Sequence, residues 1–175
     1  MKRIKYVILH HTGAEEKNAD QVKSNHLRRG WRDVGYNYII ERNGRVVTGR
    51  PPTIPGAHCK AGNMNFKSIG IALIGNLDIH PPTGAQKNSL MGLLKSLVKK
   101  HQILQGNILG HKEVYGARTL CPGKYFPLEE AKRIAAPEMW FKVQVGAFKN
   151  KENARKLKKN LEKNGYKAII VTSER

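Results

Sequence analysis

The sequence predicts an α/β fold: a central mixed β-sheet flanked by helices, followed by a small C-terminal β-α-β appendage. Three observations carry this reading. Residues 6–9 and 69–74 are short, continuously apolar and rich in β-formers, as strands buried on both faces are. Helix-compatible stretches alternate with these strands, which is the pattern of a covered sheet. Asn43-Gly44 lies between two β-rich segments and marks a hairpin.

In chain order, Tyr6, Val7, Ile8 and Leu9 form the first strand. Residues 15–29 are polar and helix-compatible and close at Gly30, a natural C′ residue. Residues 36–41 and 45–48 are the arms of the hairpin, with Asn43 and Gly44 expected to supply two positive φ angles. Residues 49–63 hold three prolines and three glycines and read as loop. Residues 69–74 form the second buried strand. Thr83-Gly84-Ala85-Gln86 is a capping-box pattern. Behind it Leu90, Leu93, Leu94, Leu97 and Val98 recur at helical spacing, which predicts an amphipathic helix to about His101. Residues 104–109 read as a short strand ending at Gly110. After a loop over 115–126, Pro127 stands near the first position of a helix with Glu129 and Glu130 in its first turn.

A boundary is expected near Ala136-Pro137. Beyond it Phe141, Val143 and Val145 alternate with Lys142 and Gln144, as in a half-buried strand. Residues 150–164 read as a helix with Ala154, Leu157 and Leu161 inward and Gly165 as its stop, and residues 167–171 as another strand. This unit of about 38 residues is below the size that ordinarily folds alone. It must dock on the main domain, pair with another copy, or be part of something longer.

The chain has 175 residues, 32 of them Lys or Arg and 13 Asp or Glu, for a net charge of +19. Such a charge implies a polyanionic partner: nucleic acid, an anionic membrane surface or an anionic cell-wall polymer. The charge is spread out, +13 over residues 1–137 and +6 over 138–175. The densest run, Arg155-Lys156-Leu157-Lys158-Lys159, falls on a helical pattern and reads as a solvated basic face. No nucleic-acid-binding motif is recognisable, so specific nucleic-acid binding is not expected. No apolar run approaches the roughly 18 residues of a membrane span. The apolar stretch near the start is too short for a secretion signal and lacks a cleavage site. Synthesis in the cytoplasm without a signal peptide is therefore expected. Two cysteines are too few for a disulfide scaffold, so any special use of one is chemical.

The candidate chemistry lies in His10 or His11 at the end of the first strand, His111 just after Gly110, and Cys121 in the following loop. Zinc takes imidazole nitrogen and thiolate sulfur, and a catalytic site uses three protein ligands with a fourth position open. Two histidines and a cysteine meet that count. Cys59, beside His58, is an equally good ligand on chemistry alone, and a Cys59–Cys121 disulfide would remove one. Spacing does not choose between them.

A resemblance narrows the choice. Val7-Ile8-Leu9-His10-His11-Thr12, Gly30-Trp31-Arg32-Asp33-Val34-Gly35-Tyr36-Asn37-Tyr38-Ile39-Ile40, Pro55-Gly56-Ala57-His58, Ser68-Ile69-Gly70-Ile71-Ala72-Leu73-Ile74-Gly75-Asn76, and Gly110-His111-Lys112-Glu113-Val114 followed by Thr119-Leu120-Cys121-Pro122-Gly123 occur in this order. Together they resemble the type-2 N-acetylmuramoyl-L-alanine amidases, a family that includes phage zinc lysozymes and peptidoglycan recognition proteins. The resemblance covers roughly residues 1–135. It implies a zinc (Zn2+) hydrolase, of endolysin or autolysin type, that cuts the amide between N-acetylmuramic acid and L-alanine in peptidoglycan.

It further implies His10, His111 and Cys121 as the metal ligands and Tyr36 as a catalytic residue. Thr119, two before the cysteine, falls where some members carry Lys and others Thr, and is the second catalytic candidate. His58 falls in the loop that lines the substrate groove. No carboxylate occupies residues 71–76, where other relatives place a catalytic Glu, so Tyr36 is the donor expected at the oxyanion. One thiolate and two neutral imidazoles leave a divalent centre with a net charge of about +1, which preserves its Lewis acidity.

The end of the chain has its own resemblance. Trp140-Phe141-Lys142-Val143-Gln144-Val145-Gly146-Ala147-Phe148, then Asn153-Ala154, then Gly165-Tyr166-Lys167-Ala168 is similar to the first half of a SPOR domain. Such domains bind glycan strands stripped of stem peptides and have two β-α-β halves, of which one is present here. Self-association through this unit would supply the other half; a docking appendage is the alternative. The expected organisation is thus a zinc amidase domain over 1–137 and a partial SPOR-like unit over 138–175. The competing functional reading is a non-catalytic peptidoglycan-binding receptor. The expected site of action is the bacterial cell wall, reached after release or lysis.

Overall fold

The computed structural model describes residues 4–135 and 143–172. The chain divides into two compact units, Met1–Pro137 and Glu138–Arg175.

The first unit is built on a five-stranded sheet. Its strands are β1 (Tyr6–His11), β2 (Tyr38–Ile40), β3 (Val46–Thr48), β4 (Ser68–Leu73) and β5 (Ile108–Gly110), in the spatial order β3-β2-β4-β1-β5. β1 runs parallel to both β4 and β5, β2 runs parallel to β4, and β3 is antiparallel to β2. The sheet is mixed, as expected. Its helices are α1 (Ala19–Arg28), α2 (Gly84–His101) and α3 (Leu128–Arg133).

Alternation along the strands sends side chains to two different cores. Val7 and Leu9 of β1, with Ile69, Ile71 and Leu73 of β4, meet Leu90, Leu94 and Leu97 of α2 and Ala131 of α3. On the other face Ile8 packs with Cys59, Met64 and Val114, and Ile39 and Ile74 pack with Ala19 and Val22 of α1. Each such aliphatic side chain, removed wholly from water, contributes about 1.5–3 kcal/mol.

Local signals set most element ends. Thr83 and Gln86 form the capping box at the start of α2, and Gln86 also donates to the carbonyls of Ile40 and Ile74, tying the helix to the sheet. α1 is shorter than the sequence suggests because Asn18, whose side chain accepts from Gln21 N–H, caps it four residues later. Gly30, at φ 79°, follows its C-cap. The hairpin differs from expectation in its turn. Only Gly44 has positive φ; Gly44 N–H donates to Glu41, and the Asn43 side chain accepts from Arg45 N–H. This is a tight turn followed by one left-handed glycine, which needs no positive φ at Asn43. The short strand expected over 104–109 begins only at Ile108, after a 3-10 turn over Gln105–Asn107.

In the second unit, α4 (Lys151–Lys163) is capped by Asn150 and stops before Gly165, at φ 83°. The strands expected on either side of it are not formed among the described residues: Val143 and Val145 are exposed, as are Ile169 and Val171. A strand exists only where its N–H and C=O groups find a partner, and alternation of side chains does not provide one. The expected boundary at Ala136-Pro137 and the residues Trp140, Phe141 and Lys142 lie outside the described residues. No described helix is long and apolar enough to cross a membrane.

Candidate metal centre

The centre forms at the carboxyl ends of the parallel strands, where open α/β sheets place ligands. β1 and β5 pair with Leu9 opposite Gly110. The residue that follows each of these is a histidine, His10 within β1 and His111 just beyond β5, so the two emerge side by side, with ring centroids 4.7 Å apart. Strand parity decides between the two adjacent histidines. His10 continues the face of Ile8 and points into the cleft. His11 turns the other way, and its Nδ1 accepts from Leu77 N–H at 3.0 Å.

Cys121 is carried to these histidines by its loop. Lys112 N–H donates to the Cys121 carbonyl at 2.8 Å, and Cys121 N–H donates to Thr119 Oγ1 at 3.1 Å. Gly110 permits the approach: a Cβ there would lie 2.9 Å from Pro122 Cδ. The Cys121 Sγ comes to 3.5 Å from His10 Nδ1. Ligand atoms of His10, His111 and Cys121 all lie within 4.8 Å of one another.

This donor set fits zinc. Tetrahedral geometry with Zn–N near 2.0–2.1 Å and Zn–S near 2.3 Å separates N from S by about 3.5 Å. Burial lowers the pKa of both His10 and His111, and neighbouring histidines lower that of His10 further, so both rings are neutral at pH 7, the form in which imidazole can bind a metal. Burial pushes the Cys121 thiol up to about 12, and a bound divalent ion would displace that proton. Both cysteines are free, so the Cys59–Cys121 disulfide does not form. Cys59 is buried beside Ile8 and Met64, with its thiol 3.8 Å from the Ala61 carbonyl.

His10, His111 and Cys121 line a cleft of about 200 Å³ together with His11, Thr12, Trp31, Tyr36, Ala57 and His58. Tyr36 precedes β2; its ring centroid is 5.3 Å from that of His10. Burial, then the nearby Cys121 and Glu16, raises the Tyr36 pKa, so the phenol keeps its proton. Thr119 does not line this cleft, and its hydroxyl faces the backbone of Cys121. His58 is 8 % exposed, with Nδ1 3.1 Å from His10 Nε2.

Several residues that hold this arrangement carry no sequence signal of their own. His26 Nδ1 accepts from Gly35 N–H, beside Tyr36, and its ring lies 4.5 Å from that of Trp31. Asn37, buried, bridges Gly70 N–H and the Arg50 carbonyl. Glu113 accepts from Gly110 N–H and pairs with Lys132 of α3, bracing the turn that carries His111. The Asn37–Gly70 and Glu113–Lys132 contacts join segments distant in sequence, which no spacing rule reveals.

Comparison with known proteins agrees with this geometry. The family model for N-acetylmuramoyl-L-alanine amidase matches residues 1–124, and that for the SPOR domain matches residues 140–175. Peptidoglycan-recognition protein SC2 of Drosophila melanogaster is 37 % identical over 130 residues, 69 % of this chain and 68 % of its own length. The endolysin of Escherichia phage T7 is 39 % identical over 108 residues, 58 % of this chain and 67 % of its own. Among solved structures, N-acetylmuramoyl-L-alanine amidase LysC from Clostridium intestinale superposes with a TM-score of 0.67 at 33 % identity, covering 75 % of this chain and 84 % of that one. With a five-stranded mixed sheet, two histidines at its strand ends, a cysteine brought to them by a loop, and a family match over most of its length, the chain belongs to the N-acetylmuramoyl-L-alanine amidase family and carries a SPOR-domain segment at its C-terminal end.

Proposed function

We propose that this protein is a zinc-dependent amidase that cleaves the bond between N-acetylmuramic acid and L-alanine in bacterial peptidoglycan. The observation that carries the proposal is the convergence of His10, His111 and Cys121, with ligand atoms within 4.8 Å, on the floor of an open cleft. A zinc ion held there would polarise the scissile carbonyl and acidify a water molecule. The chain's own groups do the rest. Tyr36, kept protonated by burial, donates its O–H toward the oxygen that gains charge as the amide carbon becomes tetrahedral. The Trp31 ring, partly exposed on the same cleft, supplies apolar surface for the substrate. Thr119 holds the Cys121 backbone at its place in the ligand set.

The second unit is proposed to hold the enzyme on the glycan, with self-association as the route to a complete binding fold. Action on the wall is proposed, and the net charge of +19 favours capture on anionic wall polymers. The peptidoglycan-recognition relatives favour a second reading, a receptor that binds without cutting. The complete ligand set supports the enzyme instead.

The test is digestion of purified cell wall with chemical labelling of new ends. New amino groups without new reducing sugars are expected, and they should vanish on chelation and return with added zinc. Reducing sugars alone, or full activity after zinc removal, would refute the proposal. Wall sedimentation without cleavage or bound metal would establish the receptor.

A further inference from the structure

His58 belongs to a loop, not to a strand end, yet its ring is buried and closely surrounded. Its backbone N–H and that of Cys59 both donate to Asn65 Oδ1, at 2.9 and 2.8 Å. Its ring lies against two glycines. A Cβ on Gly56 would sit 2.4 Å from the ring's Cδ2, and one on Gly70 would sit 2.4–2.7 Å from its Cδ2, Cγ and Nε2. Gly70 is in the middle of the fully buried strand β4, where a glycine gives up side-chain packing. That loss is explained by the ring it accommodates.

The two ring nitrogens differ. Nε2 lies over Gly70 of β4, buried, with no hydrogen-bond partner among the described residues. An unsatisfied buried polar atom costs about 1–3 kcal/mol, so an apolar residue would suit that nitrogen better. Nδ1 lies 3.1 Å from Nε2 of His10. The other nitrogen of His10, Nδ1, faces Cys121 Sγ. If His10 binds a metal through Nδ1, its Nε2 must carry the proton, and His58 Nδ1 is the acceptor in reach.

We propose that His58 is a positioning residue for the metal centre: its Nδ1 accepts the Nε2–H of His10, fixing the tautomer and ring plane with which His10 meets the ion. This rests on the metal-centre reading above. It gives His58 a role beyond lining the cleft, since its Nδ1 is within hydrogen-bond distance of His10. A partner of this kind, which orients a ligating histidine through its second nitrogen, ordinarily affects metal affinity by 10–100-fold.

Three variants test it in the full chain, with zinc alone as the probe, titrated against a chromophoric chelator. His58→Leu removes the acceptor and should weaken zinc binding about 10–100-fold. His58→Asn places a carbonyl oxygen near the position of Nδ1 and should recover most of that affinity. Gly70→Ala leaves every polar group in place but drives a methyl into the ring, and should weaken zinc binding as well. Melting of the metal-free proteins verifies folding, and should His58→Leu not fold, the other two carry the test. Zinc binding by His58→Leu within twofold of wild type overturns the inference, as does His58→Asn binding no better than His58→Leu. Normal zinc affinity in Gly70→Ala, or a loss of wall capture with unchanged zinc affinity, overturns it equally. A wild-type chain that binds no zinc overturns the proposed function itself, a result distinct from all of these.

Discussion

Replacing Tyr36 by Phe removes one oxygen and nothing else. The ring keeps its place 5.3 Å from that of His10 and 5.5 Å from that of His26, and its packing against the cluster of Ala19, Val22, Val34, Ile39 and Ile74. Because the phenol borders the cleft, folding stability should change by no more than about 0.5 kcal/mol. Zinc affinity should not change, since the hydroxyl is not among the ligands. The rate is another matter. A donor that acts only as the carbonyl oxygen gains charge is worth about 2.7–4 kcal/mol, or about 10²–10³ in kcat. One that binds the ground state equally well is worth about 0.5–1.5 kcal/mol, or about 2–13-fold, and the loss falls in KM. The assay is release of new amino groups from purified wall at saturating and limiting substrate, with zinc content measured in parallel. Burial raises the Tyr36 pKa above its ordinary value near 10, and the protonated form is the donor. Its ionisation therefore should not produce an alkaline fall in wild-type rate below pH 10. A kcat reduced by less than fivefold, or lost together with zinc, would refute the assignment.

Other expectations follow from named contacts. Cys121→Ser should lose stoichiometric zinc and at least about 100-fold in cleavage, because a serine hydroxyl does not give up its proton as a bound thiol does; metal analysis beside the digestion assay checks this. Zinc at 100 times its dissociation constant should stabilise the wild type by about 2.7 kcal/mol over the chelated protein, which calorimetry would read as a Tm rise of about 5–10 °C. Gln86, 1 % exposed, donates to Ile74 and Ile40 carbonyls and closes the capping box. Ile40 keeps another donor in Ile74 N–H, so Gln86→Met should cost about 2–4 kcal/mol in urea unfolding, and less than 1 kcal/mol would contradict the account. His80 Nε2 lies 2.7 Å from Glu15, which raises the His80 pKa; the contact therefore stabilises fully below pH 6.5 and is lost as pH rises through the raised value. The Tm difference between wild type and His80→Gln should accordingly shrink from pH 6 to pH 9, and a difference that grows would contradict this sign.

Much of the fold could be read from local chemistry. Thr83 and Gln86 announce the start of α2 because both partners of the capping box lie within one turn, and Leu90, Leu94 and Leu97 recur with the period of the face they bury. Gly30 and Gly165 end helices because a left-handed residue is needed there. Signals failed in two ways. At α1 a local competitor won: Asn18 accepts from Gln21 N–H and sets a later start than residue 15. Val143, Val145 and Ile169 alternate or cluster as strand residues do, yet nothing in their own sequence supplies an edge to pair with.

The candidate site was legible only as a set of residue types. Residue type marks His10 or His11, His111, Cys121 and Cys59 as candidate ligands for a borderline-soft metal, and ordered motifs select among them by resemblance. Physical selection needs three dimensions. The pairing of Leu9 with Gly110 sets His10 beside His111, the pleat of β1 turns His10 toward Cys121 while His11 Nδ1 is taken up by Leu77 N–H, and the missing side chain of Gly110 lets Cys121 approach. The amino-acid order alone fixes what is encoded over a few neighbouring residues: helix caps, apolar periods and turns. Which histidine faces which sulfur depends on register between strands nearly one hundred residues apart, and that is set only when the sheet closes.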